Sequence, residues 1–298
     1  MPKVEANGIA IEYDSFGSRD AEPMLLISGL GVQMIRWTVP FCEMLAARSF
    51  RVIRFDNRDV GLSTWFNHAS VPDLAALAQA LKRGEQPNVP YTLVDMADDA
   101  VGLLDALEIE RAHVVGRSMG GMIAQLVASE HRGRALSLTS IMSSSGQRGL
   151  APPAPEAMAM LTRRPPDPSE DEEGFLAHGV ALSRTIGSPG YPFDEAAQRA
   201  QLSAELERAY NPAGFGRQIA AMAATGDLRA RLKNVAVPTL VIHGANDPLM
   251  PLAGGRDTAA NIEGAELKVI EGMGHDLPSE LYENITSAIA GNARRRRA

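Results

Sequence analysis

The stretch from Val114 to Gly121 constrains this chain more than any other. An apolar run, His113-Val114-Val115, ends in Gly116-Arg117-Ser118-Met119-Gly120, and a helix-like pattern continues to Glu130. A serine on a tight turn between a strand and a helix is lifted clear of the backbone. Glycines flank it because side chains there would collide with neighbouring backbone. Five such residues also arise by chance. Between a strand and a helix they point to an exposed serine nucleophile.

The remaining segments alternate in the same way. Ile9 to Tyr13 and Met24 to Ile27 read as strands, the second running into Ser28-Gly29-Leu30-Gly31. Pro40 to Arg48 is helix-like, and Phe50 to Phe55 is a strand ending at Asp56. Leu93 to Leu107 places Val94, Ala97, Val101, Leu104 and Leu107 near a helical period. Leu136 to Met142 is a further strand. After Gly149 the pattern breaks: Ala151 to Glu173 carries Pro152, Pro153, Pro155, Pro165, Pro166 and Pro168, then the acidic run Glu170 to Glu173. No strand signal appears before Lys233, whereas Glu195 to Ala209 and Gly216 to Ala224 read as helices. Alternation returns with Pro238 to His243, Leu252 to Ile262, Leu267 to Ile270 and Ser279 to Ala290. The expectation is an α/β fold with a mostly parallel central sheet flanked by helices. Residues 1–147 and 234–298 form its core, and 148–233 are a helical cap inserted over the C-terminal strand ends, where ligands bind in such sheets.

With 298 residues, 45% hydrophobic and 22% charged, the composition is that of an ordinary globular chain. The net charge of −7 argues against a nucleic-acid partner. The basic cluster Arg294 to Arg297 reads as a solvated tail. Cys42 is the only cysteine, which excludes an internal disulfide and a cysteine-based metal site. Met1 to Ala10 lacks the apolar segment of a secretion signal, and no apolar run approaches the ~20 residues of a membrane helix. The expected setting is the cytoplasm, as a monomer or homodimer without membrane partners. There is no Walker string, no G-x-G-x-x-G and no histidine pair at metal-ligand spacing, so neither a cofactor nor a metal is expected.

A serine nucleophile needs a base, and the base needs an acid to orient it. His275 lies in the glycine-rich loop Glu271-Gly-Met-Gly-His-Asp-Leu-Pro278, between the last strand and the last helix. A loop histidine bonded to backbone is the plainer reading; with the serine turn upstream, His275 becomes the expected base. Asp247, in His-Gly-Ala-Asn-Asp-Pro after a strand, is the expected acid, though it would also suit an ordinary turn. Asp276 is a weaker candidate, and His243 reads as structural. Developing negative charge calls for backbone N–H donors. Met119, at a helix start, and Leu30, in the loop after a strand, are the candidates, although Ser28 to Gly31 would also serve as a simple turn. Arg117 could bind a substrate anion; pairing with a nearby carboxylate is the favoured reading. Trp37, Met158, Met160 and Met222 are candidates for lining a substrate pocket, methionines being adaptable but more often core fillers.

These strings resemble the α/β-hydrolase family with a helical cap, over nearly the whole chain outside the cap. The resemblance rests on Ser28-Gly29-Leu30 with Trp37 downstream, Phe55-Asp-Asn-Arg-Asp-Val-Gly-Leu-Ser63, Gly116 to Gly120, Pro238 to Pro248, and Gly272-Met-Gly-His275. Several are similar to those of aclacinomycin methylesterases and bacterial carboxylesterases. The resemblance implies Ser118 as nucleophile, His275 as base, Asp247 as acid, and Leu30 and Met119 as oxyanion donors. The chain order Ser, Asp, His matches. One departure is Ser28-Gly29, where many members have His-Gly; the donor is a backbone N–H, so the oxyanion site can survive the exchange. Members with an aspartate nucleophile act on epoxides or haloalkanes, and Ser118 argues against those reactions. Asp56 and Arg58 read as ion-pairing residues near the site.

The expected activity is hydrolysis of small to medium carboxylic esters, methyl esters among them, with a small-molecule ester as the partner. Cofactor-free perhydrolysis, lactone opening and C–C bond hydrolysis use the same triad. A ligand-binding protein on a hydrolase fold is the rival of another class.

Overall fold

The computed structural model describes residues 1–295, so Arg296 and Arg297 of the basic cluster lie outside the described residues. In chain order the elements begin β1 (Lys3–Ala6), β2 (Ile9–Phe16), β3 (Glu22–Ile27), α1 (Val39–Ala46), β4 (Phe50–Phe55), α2 (Leu74–Lys82) and α3 (Leu93–Ala106). Then come β5 (Ala112–Arg117), α4 (Met119–Glu130) and β6 (Ala135–Ile141). Helices α5 (Pro155–Thr162), α6 (Glu172–Ile186), α7 (Glu195–Arg208), α8 (Pro212–Thr225) and α9 (Arg229–Leu232) follow without a strand between them. The chain then returns to β7 (Thr239–Gly244), α10 (Leu252–Ala260), β8 (Glu266–Ile270) and α11 (Tyr282–Ala293).

The strands form one sheet in the order β1-β2-β4-β3-β5-β6-β7-β8. The pairs β1/β2 and β2/β4 are antiparallel, and every other pair is parallel. Strand β3 shows why the sheet needs helices on both faces. Its side chains alternate, Leu25 and Ile27 entering the cluster with α3 and α4, Met24 and Leu26 the cluster with α1 and α11. All four are fully buried. Each such side chain contributes about 1.5–3 kcal/mol of transfer free energy, so neither face tolerates water. Helix α3 starts with a reciprocal cap, Val94 N–H donating to Thr92 Oγ1 and Thr92 N–H to the Asp95 carboxylate.

Elements without a counterpart in the sequence reading are β1, α2, α5, α6 and α9. β1 is a four-residue edge strand with Lys3 and Glu5 exposed, so it lacks an apolar pattern. α5 follows a proline-rich stretch and buries only Ala157.

Helices α7 and α8 are tied to the loop after β4 by ion pairs. Arg208 reaches Asp56 at 2.6 Å, and Arg217 makes a bidentate pair with Asp59, both bonds 2.7 Å. Asp59 and the Arg217 side chain are nearly solvent-free, and the Tyr91 hydroxyl donates to Asp59 at 2.6 Å. Burial pushes the Asp59 carboxyl up. The Arg217 guanidinium, the Tyr91 hydroxyl and the Phe66 N–H together outweigh it and hold the carboxyl below its ordinary value.

Arg217→Met strands that carboxylate. It is expected to destabilise the fold by about 3–5 kcal/mol at pH 7, read from urea unfolding. Asp59 contributes stability above the ordinary carboxylate pKa and loses it as pH falls through its depressed folded value. In the variant the unpaired carboxyl protonates sooner, so the gap between variant and parent begins to narrow above about pH 4 and goes on closing as pH falls through the parent's depressed value. A gap constant from pH 7 to 3 would contradict this account.

Candidate active site

Ser118 is the hinge between β5 and α4. Its φ of 53° and ψ of −125° are strained for a residue with a side chain. Three close approaches make the turn possible: a Cβ on Gly116 would overlap the Gly120 carbonyl, one on Gly120 the Ile27 carbonyl, and one on Gly121 would meet Ser143 at 2.5 Å. Hydrogen bonds hold the strained residue. The Ser118 N–H donates to the Ile141 carbonyl (2.9 Å), and the Ser118 carbonyl accepts from Ser143 Oγ (2.7 Å) and Gly121 N–H (2.9 Å). Ser118 stands at the N-cap of α4, yet its hydroxyl makes no cap bond. The hydroxyl is thereby free for His275.

His275 Nε2 lies 3.1 Å from Ser118 Oγ, and its Nδ1 lies 2.7 Å from Asp247 Oδ2. Asp247 is acceptor-only when ionised, so the network assigns the proton to Nδ1 and leaves Nε2 to accept from the serine. The second carboxylate oxygen, Oδ1, accepts from the N–H groups of Leu249 (2.9 Å) and Met250 (2.7 Å). The carboxylate is thus satisfied on both oxygens and fully buried. The last residue of α6 and residues between α6 and α7 fasten the histidine loop. The His275 N–H donates to the Ile186 carbonyl (2.7 Å), Gly274 N–H to Ser188 Oγ (2.8 Å), and Gly190 N–H to the Gly272 carbonyl (2.9 Å).

Asp276 faces away from the triad's hydrogen bonds. It accepts from the Ser188 hydroxyl, and burial raises its carboxyl above the ordinary value. His243 is buried beside Asp247, its Nε2 4.0 Å from Oδ2 and 2.7 Å from the Met250 carbonyl, to which it donates. Burial lowers its pKa, which favours a neutral ring, as expected of a structural histidine.

Neither the Leu30 nor the Met119 N–H has a protein acceptor among the described residues. Met119 opens α4, where the helix dipole adds partial positive charge. Gly29 brings the Leu30 loop against Ser118: a Cβ there would sit 3.2 Å from Ser118 Cβ. The Ser28 hydroxyl is buried without a partner.

Other expected residues are distributed differently. Arg117 does not pair with a carboxylate among the described residues. Its guanidinium lies 5.0 Å from the Trp37 ring centroid, while Arg36 takes the nearby Glu205, 2.9 Å from Nη2. Burial first, then the Arg36 charge, lowers the Arg117 pKa to about 10. Asp56 and Arg58 do ion-pair, Asp56 with Arg208 and Arg58 with Asp99 at 2.6 Å. Trp37 is a buried core residue packed on Phe41. Met222 packs against the core around α3 and α4, and Met160 is half-buried. Met158, on α5, is 39% exposed. Sequence reasoning missed Asn57, Ser143, Ser188 and Gln218, whose partners lie on distant segments and leave no local pattern.

The chain is similar to several known enzymes along most of its length. Rhodomycin D methylesterase of Streptomyces peucetius is 29% identical, the match covering 96% of this chain and 95% of that protein. The 3-oxoadipate enol-lactonase 2 of Acinetobacter baylyi is 26% identical over 89% of this chain and 86% of its own. Among solved structures, an enol-lactonase from Burkholderia xenovorans superposes with a TM-score of 0.74 at 25% identity, covering 99% of this chain and all of that one. A meta-cleavage product hydrolase from Pseudomonas fluorescens shares the fold, with a TM-score of 0.73 at 21% identity over 98% and 97% of the two chains. The family model described as serine aminopeptidase S33 matches residues 21–282, and the chain belongs to that family, a serine hydrolase with the α/β-hydrolase fold.

Proposed function

We propose that this chain hydrolyses carboxylic esters through an acyl-enzyme formed on Ser118. The observation that carries the reading is the relay from Asp247 through His275 to Ser118 beside two unengaged N–H donors. The similarity to a methylesterase and to enol-lactonases, all enzymes that cleave acyl–oxygen bonds, supports it.

Each step follows from the geometry. As Ser118 Oγ bonds to the ester carbon, its proton passes to His275 Nε2. The carbonyl electron pair moves onto oxygen, where the Leu30 and Met119 N–H groups receive it. Asp247 stays ionised and holds the imidazolium through Nδ1. The intermediate collapses, breaking the carbon–oxygen bond, and the leaving alcohol takes the proton from Nε2. Water then attacks the acyl carbon and gives its proton to the same nitrogen. A second collapse returns that proton to Ser118 and frees the carboxylic acid. No step requires a metal or an organic cofactor.

In this reading residues 148–233 act as a cap that sets which acyl and alcohol groups reach Ser118. No helix among the described residues is long and apolar enough to cross a membrane. A cyclic ester is the second reading, favoured by the fit to the enol-lactonase structure; the same attack opens a lactone without releasing a separate alcohol.

The test is turnover of p-nitrophenyl esters of graded chain length, beside methyl esters of bulky polycyclic acids and a lactone series. Ser118→Ala is expected to lower kcat by about 10,000-fold or more, and Asp247→Asn by about 10,000-fold through the wrong histidine tautomer. Full esterase activity in Ser118→Ala would sink the mechanism. Lactone turnover far above that of every open-chain ester would replace the first reading with the second.

A further inference from the structure

Gln218 lies on α8, in the helical stretch far from Ser118 in sequence, and is fully buried. Its amide joins two core loops. The oxygen accepts from the Gly31 N–H at 2.8 Å, and the nitrogen donates to the Arg58 carbonyl at 2.9 Å. Three peptide planes follow one another in the oxyanion loop. Asn57 Nδ2 donates to the Ser28 carbonyl at 3.0 Å and so fixes the plane between Ser28 and Gly29. Gln218 fixes the plane between Leu30 and Gly31. Between them lies the Gly29–Leu30 peptide, whose N–H points to no protein acceptor.

That middle plane is itself held by a longer bond, the Val32 N–H donating to the Gly29 carbonyl at 3.3 Å. Glycines on both sides of Leu30 permit conformations closed to other residues, and Gly31 sits at φ +65°. A second contact from the same helix restrains it: a Cβ on Gly31 would lie 2.8 Å from the Phe215 ring, so that ring packs directly on the Gly31 backbone. α8 therefore holds the loop by one polar and one apolar contact, while the neighbouring Arg217 anchors the helix to Asp59.

We infer that Gln218 is a positioning residue that aims the Leu30 N–H at the reacting oxygen, so the oxyanion site is complete only while α8 is seated on the core. This rests on the ester-hydrolase reading of Ser118 and Leu30. Gln218 touches no reacting atom. It acts through the Leu30–Gly31 peptide, and substrate admission by the cap is thereby coupled to the arming of the site.

The test compares Gln218→Met, which keeps the chain length and removes both hydrogen bonds, with Gln218→Glu, which keeps an acceptor for Gly31. Gln218→Met is expected to lower kcat on a p-nitrophenyl ester about 100-fold, the scale of a displaced catalytic group, with KM within about threefold. Affinity for a boronic-acid mimic of the tetrahedral intermediate falls in parallel, while affinity for the product carboxylate does not. Gln218→Glu retains kcat within about tenfold of the parent. An unchanged kcat in the Met variant overturns the inference. So does a loss that falls equally on KM and product affinity, the mark of a merely loosened fold. Should Gln218→Met fail to fold, amide exchange in the parent protein decides: protection at Gly31 supports the clamp, and free exchange there refutes it. A fluorophosphonate probe separates the two levels. If it leaves Ser118 unlabelled in the parent, the ester-hydrolase reading falls and takes this inference with it; if it labels the parent and Gln218→Met at equal rates, only the inference falls.

Discussion

The backbone strain at Ser118 is what the rest of this structure is arranged to hold. A serine in that conformation costs on the order of 1–3 kcal/mol, and it persists only where its surroundings leave no alternative. Here the surroundings are three chain segments brought within backbone contact. The end of β3, the start of α4 and the loop after β6 meet with glycine or serine at each crossing, because a larger side chain at Gly116, Gly120 or Gly121 would push them apart. The two buried faces of the sheet supply the free energy that keeps those segments together. Strain confined to one residue then yields a hydroxyl that is not consumed in capping its own helix.

A second organising feature is the seam of buried carboxylates in the loop after β4 and on α3. Asp56, Asp59 and Asp99 are each buried, and each has an arginine, from α7, α8 and the loop itself. Pairs of this kind add little net stability over apolar packing, yet breaking one is costly because the survivor remains charged and dry. Such an arrangement favours one seating of α7 and α8 over neighbouring ones. It also brings the helical stretch within reach of the loops that carry the chemistry. Ile186 and Ser188 hold the backbone of the histidine loop, and Gln218 holds the loop containing Leu30. Ser118 and Asp247 are thus supported from the sheet, and the loops of His275 and Leu30 partly from the helical stretch.

Charge around the site is distributed with the same economy. Asp247 keeps both oxygens occupied, and buried His243 contributes a ring disfavoured from ionising beside it. Arg117, next to Ser118, keeps its charge against an aromatic face instead of a carboxylate. A carboxylate bound there would have added a negative charge close to where the proposed intermediate develops its own.

Much of this was legible in one dimension. Strands buried on both faces read as apolar runs, and the turns after them carry Ser118, Asp247 and His275, because a parallel sheet gathers its strand ends on one edge. Local composition was enough to mark those residues, since each stands in a glycine- or proline-bearing loop of short range. What escaped the sequence is whatever depends on partners far apart in the chain. β1 is too short and exposed to leave a pattern. The arginine partners of Asp56 and Asp59 lie some 150 residues away, and Gln218 lies 187 residues from Gly31. Met158 is apolar in sequence and exposed in space. The sequence by itself determined the alternation of elements and the residue types at the strand ends, since backbone geometry and solvent act locally on every segment. Only the tertiary structure decided which charge meets which and what holds the oxyanion loop, because pairing across the core is set by packing, and packing leaves no period in the chain.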